Sequence, residues 1–242
     1  MRVAVISDIH GNSHALDAVL QAIDGEGVEE IWCLGDLVGY GPRPNECCRT
    51  IAERADLCLA GNHDLGVLGR LDLEDFAPEA ARSARWTQGV LEPQARAYLE
   101  RLAPSAAREG VELFHGSPGD PVWEYVLSGE AALDALLATS APLVLVGHSH
   151  VPLAIALGED RLSGGVAPEG SEADLGAGRW LLNPGAVGQP RDGDPRACYL
   201  LYDASKQEMA HRRVAYDIAS TQRKILAAGL PPFLATRLAQ GA

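Results

Sequence analysis

Short apolar runs alternate with stretches of helical periodicity over about the first 150 residues. Residues 3–6 form a β-branched apolar run, and residues 15–23 repeat apolar positions every three or four places, which predicts a strand followed by a helix. This order recurs, and consecutive strand–helix units favour a mainly parallel sheet. The further predicted strands are 30–34, 57–60, 111–114 and 143–146, and the further predicted helices are 45–55, 79–90, 93–102 and 131–137.

After about residue 150 the pattern changes to short alternating strands, which predicts an antiparallel half. Residues 158–178 are rich in Gly, Glu and Ala, and we expect an exposed hairpin extension there rather than a domain boundary. We therefore predict a single domain over residues 1–242. The strands predicted in this half are 153–157, 180–182, 197–202 and 208–214, and two helices are predicted within 216–240, separated by Gly-Leu-Pro.

The composition is that of a protein with a large buried core. The chain has 242 residues, of which 47% are hydrophobic, and no apolar run approaches the roughly 18 residues needed to cross a bilayer. The first residues, MRVAVISDIH, are too short and too soon acidic for a signal peptide, so we expect a soluble, cytoplasmic protein without a membrane partner. Its five cysteines are scattered without C-x-x-C spacing, which predicts free thiols.

The charge balance changes the picture of the partner. A formal net charge of -13 argues against an extended nucleic-acid partner, because such binding needs many Lys and Arg residues against phosphates. A small anion is the easier partner, but it needs a local positive centre that this composition lacks. Bound metal ions would provide one.

Side chains with metal-ligating chemistry follow the predicted strands. Taken singly, each is more often a turn residue, but independent turns would not place them after five successive strands. Because the carboxyl ends of parallel strands gather at one edge, these side chains could meet in a single crevice. His14 and His211 do not follow this pattern, and we expect them at the surface. The residues that do are Asp8 and His10, Asp36, Asn62 with His63 and Asp64, His115, and His148 with His150.

Carboxylate and imidazole ligands without thiolate suit borderline divalent ions. Manganese, iron, zinc, cobalt and nickel all fit, and manganese is favoured. Two such ions a few Å apart could hold a bridging water as hydroxide and clamp the oxygens of an in-line displacement. One carboxylate would then have to bridge both ions.

The motif series resembles that of the calcineurin-like metallophosphoesterase superfamily. Its segments are Asp8-Ile-His10, Gly35-Asp36, Gly61-Asn62-His63-Asp64, His115-Gly and Gly147-His148-Ser-His150. The phrases GDLVGYGP, FHGSP and NPGAVGQPRDGDPRACY resemble, more narrowly, its small single-domain bacterial and archaeal members. The resemblance implies an α/β fold, a four-layer sandwich of two mixed β-sheets flanked by helices.

The resemblance also implies a role for each motif residue. His63 matches a non-ligand histidine that stabilises the transition state and protonates the leaving oxygen. Asn12, Tyr40 and Arg191 lie in nearby loops, where they could either contact substrate or order the loops. The implied metal ligands are Asp8, His10, Asp36 and His150 for one ion, and Asn62, His115 and His148 for the other, with Asp36 bridging.

One position departs from the family pattern. Many relatives carry an Asp three residues after the one that matches Asp36, where it supports the catalytic histidine, but this chain has Gly39. Something else must therefore orient His63, and Asp64 is the candidate beside it in sequence.

The leading hypothesis is a two-metal hydrolase of a small phosphate ester or anhydride, whether monoester, diester or nucleotide. An alternative is a non-catalytic interaction module on the same fold, as in the retromer subunit whose site is degraded. The intact motif histidines favour catalysis. A third reading, a nuclease, conflicts with the acidic charge balance. The sequence carries no signal for oligomeric state.

Overall fold

Twelve strands and eight α-helices make up the computed structural model, which describes residues 1–159 and 161–242. The strands are β1 (Arg2–Ile6), β2 (Glu30–Cys33), β3 (Leu57–Cys58), β4 (Ser105–Arg108), β5 (Val111–Phe114), β6 (Leu143–Val146), β7 (Pro152–Leu157), β8 (Leu162–Val166), β9 (Glu172–Asp174), β10 (Arg179–Pro184), β11 (Ala197–Asp203) and β12 (Glu208–Val214). The helices are α1 (Ser13–Asp24), α2 (Pro44–Arg54), α3 (Asn62–Val67), α4 (Pro78–Val90), α5 (Pro93–Leu99), α6 (Gly129–Leu137), α7 (Ile218–Ala227) and α8 (Pro232–Thr236), with 3₁₀ turns at Leu73–Asp75 and Arg237–Ala239.

The helix starts follow from local chemistry. Proline occupies the first turn of α2, α4, α5 and α8, where its missing N–H leaves no hydrogen bond unmade. Asn12 caps α1 by accepting a hydrogen bond from the backbone N–H of Ala15. Ser128 and Asp217 cap α6 and α7 in the same way.

The strands form two six-stranded mixed sheets. The first has the order β3-β2-β1-β11-β12-β9, with β1 to β3 parallel and the remaining neighbours antiparallel. The second has the order β4-β5-β6-β10-β7-β8, with β5, β6 and β10 parallel. Two mixed sheets flanked by helices confirm the fold that the family resemblance implied.

Alternating side chains separate the layers of this sandwich. Val3 and Val5 of β1 point into the core between the sheets, whereas Ala4 and Ile6 pack against α1 and α2. In the second sheet, Leu143 and Leu145 of β6 enter the same central core, and Val144 and Val146 pack against α6. Because both faces of these strands are covered, their sequences are continuously apolar.

The division of strands between two sheets differs from the single parallel sheet that the strand–helix order suggests. β1, β2 and β3 lie in the first sheet, but β5 and β6 lie in the second. Periodicity identifies a buried strand but not its neighbour, because pairing depends on contacts far apart in sequence. The carboxyl ends of both parallel sets nevertheless meet at the same end of the sandwich.

The described residues of segment 158–178, where an exposed hairpin extension is predicted, contain two short edge strands. β8 pairs with β7 at the edge of the second sheet, and β9 pairs with β12 at the edge of the first. The segment therefore gives one edge strand to each sheet. Its Gly-rich composition hides this arrangement, because Gly carries no side chain that would show a period of two.

The longest helix, α4, has 13 residues. Among the residues that the structure describes, no helix is long and apolar enough to span a bilayer.

His211 is buried, contrary to the expected surface position, whereas His14 is only partly buried. The His211 side chain lies inside β12 with no exposed surface, and its Nε2 lies 2.8 Å from the carbonyl oxygen of Asn183. A carbonyl only accepts, so Nε2 carries the proton. Burial lowers the pKa of His211 from 6.5 to about 4.

We expect this histidine to make the protein acid-sensitive. Between pH 6.5 and 4, His211 binds a proton in the unfolded chain but stays neutral in the folded protein. The free energy of unfolding therefore falls as the pH drops towards 4. The loss from this group is on the order of 3 kcal/mol, at about 1.4 kcal/mol per pKa unit. Urea unfolding of metal-free protein between pH 7 and 4.5 measures the free energy of unfolding. Its pH dependence should be shallower in His211→Gln than in wild type, and His14→Gln should differ less from wild type. An unchanged slope in His211→Gln would contradict the assignment.

Candidate metal centre

The predicted site residues come together where the carboxyl ends of the parallel strands of both sheets meet. Asp8 and His10 follow β1, Asp36 follows β2, and Asn62 and His63 open α3 after β3. His115 follows β5, and His148 and His150 follow β6. None of the seven predicted ligands is more than 4% exposed.

One group of ligand atoms consists of Asp8, His10 and His150, whose atoms all lie within 4.8 Å of one another. Asp8 Oδ1 is 3.3 Å from His150 Nε2 and 3.8 Å from His10 Nε2. The two Nε2 atoms are 3.1 Å apart. The other carboxylate oxygen of Asp8 accepts a hydrogen bond from the backbone N–H of His148.

A second group consists of Asp36, His115 and His148, again within 4.8 Å. Asp36 Oδ2 lies 3.5 Å from His115 Nε2 and 3.6 Å from His10 Nε2, so this oxygen stands between the two groups. Asn62 joins the second group, with its Oδ1 3.2 Å from His115 Nε2. Gly61 is required here because a Cβ on it would lie 2.0 Å from Asp36 Oδ1.

Each of the four histidines in these groups is fixed by a backbone carbonyl. His10, His115 and His150 present Nδ1 to the carbonyl oxygens of Val38, Leu34 and Gln189, at 3.0, 2.8 and 2.6 Å. His148 instead presents Nε2 to the carbonyl of Trp123 at 3.2 Å. Because a carbonyl can only accept, the opposite nitrogen of each ring is left with a free lone pair, as a metal ligand requires.

The positions of these acceptor atoms are favourable with divalent cations between them and unfavourable without such cations. Asp8 Oδ1 and Asp36 Oδ2 are buried and have no hydrogen-bond partner among the described residues. The lone pairs of His10 Nε2 and His150 Nε2 face each other, and an amide oxygen faces His115 Nε2. Buried acceptors that face one another without a proton between them are costly, and a cation held between them removes that cost.

The backbone at the site is held in an unusual conformation. Five of the seven predicted ligands have a positive φ, although none is glycine: Asp8 (55°), His10 (49°), Asp36 (54°), His148 (62°) and His150 (60°). Such residues each cost on the order of 1 kcal/mol or more and cluster at functional sites. The loops accept this cost because the left-handed turn directs each side chain into the cluster.

The electrostatics point the same way. Burial lowers the pKa of His10, His115, His148 and His150, to about 3 for His148, so these rings are neutral. Burial, followed by the neighbouring carboxylates of Asp64 and Asp8, raises the pKa of Asp36 well above its usual range. A bound cation would favour the charged form of Asp36 again.

The family model of the calcineurin-like phosphoesterase superfamily domain matches residues 1–207. The chain belongs to this family.

Individual relatives agree with the family match. The chain is similar over its full length to a metallophosphoesterase from Sphaerobacter thermophilus, at 43% identity and a TM-score of 0.89, covering 100% of this chain and 99% of that one. It is 38% identical to an uncharacterized protein of Methanocaldococcus jannaschii, covering 99% of this chain and 98% of the relative. It is 26% identical to the phosphodiesterase YfcE of Escherichia coli, covering 83% of this chain and 87% of the relative.

His63, for which the family resemblance implies a non-ligand role, lies beside the first group. One of its ring nitrogens is within 4.8 Å of ligand atoms of His10 and Asp36. Unlike the four anchored histidines, its Nδ1 has no hydrogen-bond partner among the described residues. Its backbone N–H donates to Asp36 Oδ1 at 2.8 Å, which ties the start of α3 to the loop that carries Asp36.

Asp64 does not contact His63 through a hydrogen bond, contrary to the suggested orienting role. Its Oδ1 accepts hydrogen bonds from the backbone N–H groups of Leu37 and Val38, and its Oδ2 accepts one from Gly61. Asp64 therefore holds the loop after β2 against the start of α3. Adjacency in sequence misled because successive residues at a helix start point in different directions.

The three candidate substrate residues differ in their surroundings. Asn12 is 2% exposed, and its side chain is used in contacts with Ala15, Gly188 and Thr221, which favours the loop-ordering alternative. Tyr40 packs beside His10 and His63. Arg191 donates to Tyr40 Oη at 3.4 Å and Gln189 Oε1 at 3.1 Å, and lies close to the cluster.

Asn183, the first residue of the segment NPGAVGQPRDGDPRACY, supports the site without being a predicted ligand. Its Nδ2 donates to the carbonyl of Gly147 at 2.8 Å and lies 3.0 Å from Ser149 Oγ, so it holds the loop that carries His148 and His150. Buried His211 in turn binds the Asn183 carbonyl. The position of Asn183 at the end of a predicted apolar strand, like the motif residues, was the available signal.

We expect Asp36→Asn to separate stability from metal binding. Removing a buried carboxylate whose Oδ2 has no hydrogen-bond partner among the described residues should leave the metal-free protein at least as stable as wild type. The wild type should gain several degrees in melting temperature on addition of manganese, because a ligand of the folded state stabilises it. The variant should lose most of that gain and its stoichiometric metal. Asp174→Asn, on edge strand β9, serves as the control, and full metal content in Asp36→Asn would contradict the bridging position.

Proposed function

We propose that the chain is a dinuclear metal-dependent hydrolase of small phosphate esters or anhydrides. The observation that carries the proposal is the position of Asp36 Oδ2, buried without a hydrogen-bond partner between His10 of one ligand group and His115 of the other. A carboxylate oxygen in that position suits a bridge between two cations.

In this proposal Asp8, His10, Asp36 and His150 hold one ion, and Asp36, Asn62, His115 and His148 hold the other. Oxygen and imidazole ligands accept several divalent ions, and we propose manganese as the first to test. When bound, divalent cations supply a water of lowered pKa and draw charge from the phosphoryl oxygens. They would also offset the negative field of an acidic protein, so that a phosphate anion can approach.

His63 is proposed to donate the proton to the leaving oxygen. Its Nδ1 is buried, so Nε2 is the nitrogen available to the substrate. As the bond between phosphorus and the leaving oxygen breaks, that oxygen takes the proton from Nε2. The oxygen of water forms the new bond to phosphorus, and the proton that this water loses returns through solvent to Nε2. Protonation of the leaving oxygen avoids release of an alkoxide or aryloxide.

Arg191 is proposed to bind the phosphate. Its neighbours Arg196 and Arg213 pair with Asp194 and Asp192, but among the described residues Arg191 has no carboxylate partner and its Nε has no hydrogen-bond partner. A guanidinium left without an anion in so acidic a chain is available for an incoming one. Arg forms paired hydrogen bonds with phosphate oxygens.

The substrate proposed is a small phosphodiester, phosphomonoester or nucleotide. The name of the Escherichia coli relative, phosphodiesterase, supports testing a diester first. An interaction module on this fold would have no need of seven converged ligands, and the acidic chain argues against an extended nucleic acid. A cytoplasmic location stays a prediction from the sequence.

We expect manganese-loaded protein to hydrolyse at least one member of a panel of generic diesters, monoesters, cyclic nucleotides and dinucleoside polyphosphates. His63→Gln should lower kcat by roughly 100-fold or more with both metals retained, since general acid catalysis contributes about 10²- to 10⁴-fold. Turnover and bound metal are measured on the same samples. An inactive wild type across manganese, cobalt, nickel and zinc would refute the proposal, and metal loss in His63→Gln would make His63 a ligand.

Arg191→Ala should raise KM for the substrate by about 10- to 100-fold, because a hydrogen bond to a charged group contributes about 1.5 to 3 kcal/mol. The metal content should be unchanged, because Arg191 is not a ligand. Arg196→Ala, which removes an ion-paired arginine from the same loop, is the matched control. Equal KM values in the two variants would argue against phosphate binding by Arg191.

A further inference from the structure

His63 is held without the carboxylate that supports the matching histidine in many relatives. Asp64 uses both its oxygens on backbone N–H groups, and His63 Nδ1 has no hydrogen-bond partner in the part of the chain that the structure describes. A ring that no hydrogen bond fixes can rotate unless its neighbours prevent it. The packing around His63 therefore decides where its Nε2 points.

Gly39 leaves no room for a substitute side chain at the family position. Its φ is 84°, and a Cβ added to it would lie 2.4 Å from His63 Nδ1 and 2.9 Å from His63 Cγ. The imidazole thus occupies the space that a side chain at residue 39 would need. The backbone of Gly39 forms one wall against the ring.

Aromatic rings form the other walls. The Tyr40 ring lies 4.4 Å from the His63 ring between centroids, at an interplanar angle of 53°. Phe76 meets His63 edge-on at 5.4 Å and 82°, and Trp123 in turn packs on Phe76 at 4.9 Å. Rings at these separations are in contact and restrict rotation about the side-chain torsions.

Tyr40 is itself fixed in place. Its φ of 54° is unusual for a residue with a side chain, and its backbone N–H donates to the buried hydroxyl of Ser83 at 3.1 Å. Its ring packs against a cluster from the C-terminal helices, made of Ile225, Leu230, Leu234, Ala235 and Leu238. That cluster lies beyond residue 207, where the family match ends.

We propose that Tyr40, together with Phe76 and the bare backbone of Gly39, positions His63 by packing in place of the carboxylate found in relatives. This inference rests on the proposed catalytic role of His63. Tyr40 is a positioning residue: its ring keeps Nε2 directed at the leaving oxygen and leaves Nδ1 unbonded. The C-terminal helices support the catalytic histidine through Tyr40.

Two substitutions at Tyr40 test the role of the ring. Tyr40→Leu should lower kcat by roughly 10- to 100-fold, since a displacement of about 1 Å at a reacting group can cost that much. Metal content should change little, because Tyr40 is not a predicted ligand. Tyr40→Phe keeps the ring and should recover most of the kcat lost in Tyr40→Leu. Equal kcat losses in the two variants would assign the effect to the hydroxyl and overturn the proposal.

A pair of glycine substitutions tests the contact between the Gly39 backbone and the His63 ring. Gly39→Ala places a methyl group against His63, so kcat should fall to a level similar to that of Tyr40→Leu. Gly69→Ala is the matched control, because Gly69 also has a positive φ, 75°, and a Cβ there meets no atom within 4 Å. The control isolates the cost of the backbone conformation. Similar kcat values in the two alanine variants would contradict the proposal.

The leaving group supplies a readout that a general structural defect does not move. The probes are bis(4-nitrophenyl) phosphate and diphenyl phosphate, whose leaving oxygens differ in basicity. A displaced proton donor should slow the phenyl ester more than the nitrophenyl ester, as in His63→Gln. An equal loss on both esters in Tyr40→Leu and Gly39→Ala would overturn the positioning role.

The outcomes also separate this inference from the proposed function. If His63→Gln keeps wild-type kcat, the catalytic role of His63 fails, and the positioning role fails with it. If His63→Gln is impaired but Tyr40→Leu and Gly39→Ala behave like Gly69→Ala, only the positioning role fails. Melting temperatures close to that of the wild type show that each variant is folded when it is assayed.

Discussion

The site is organised around buried acceptor atoms that face one another without protons between them. Asp8 Oδ1, Asp36 Oδ2 and the free Nε2 atoms of His10, His115 and His150 lie within a few Å in a region almost closed to water. Each imidazole is bound through its other nitrogen to a backbone carbonyl, so it cannot turn its N–H inward to relieve the repulsion without losing that bond. These acceptor atoms are therefore already placed to bind cations.

The fold brings these acceptor atoms together at the junction of its two sheets. The parallel strands of each sheet end at the same end of the sandwich, and the apolar core between the sheets holds those ends together. Left-handed residues then turn each side chain into the cluster, and glycines such as Gly61 allow neighbouring loops to come close. The strain in these loops is offset by the packing of strands that are buried on both faces.

A second layer of contacts fixes the loops. Asp64 binds the loop after β2, Asn183 binds the loop that carries His148 and His150, and Asn12 links the start of α1 to the C-terminal helix α7. These residues hold loops in place, although they are of the same residue types as the predicted ligands beside them. Polarity alone does not distinguish them from ligands, because Asp, Asn and His serve both roles and only the direction of the side chain differs.

The sequence by itself determined nine of the twelve strands and most of the helices, because buried apolar runs and helical periodicity are local signals, but it did not predict β4, β8, β9 or α3. It also determined which Asp, His and Asn residues gather at one end, because each of them follows a strand. Only the tertiary structure decided that β5 and β6 belong to a second sheet, that residues 158–178 supply an edge strand to each sheet, and that His211 is buried. It alone showed Asp64 turned to the backbone and Tyr40 packed against His63. These features depend on pairing and side-chain direction between residues distant in sequence, which no local pattern of hydrophobicity records.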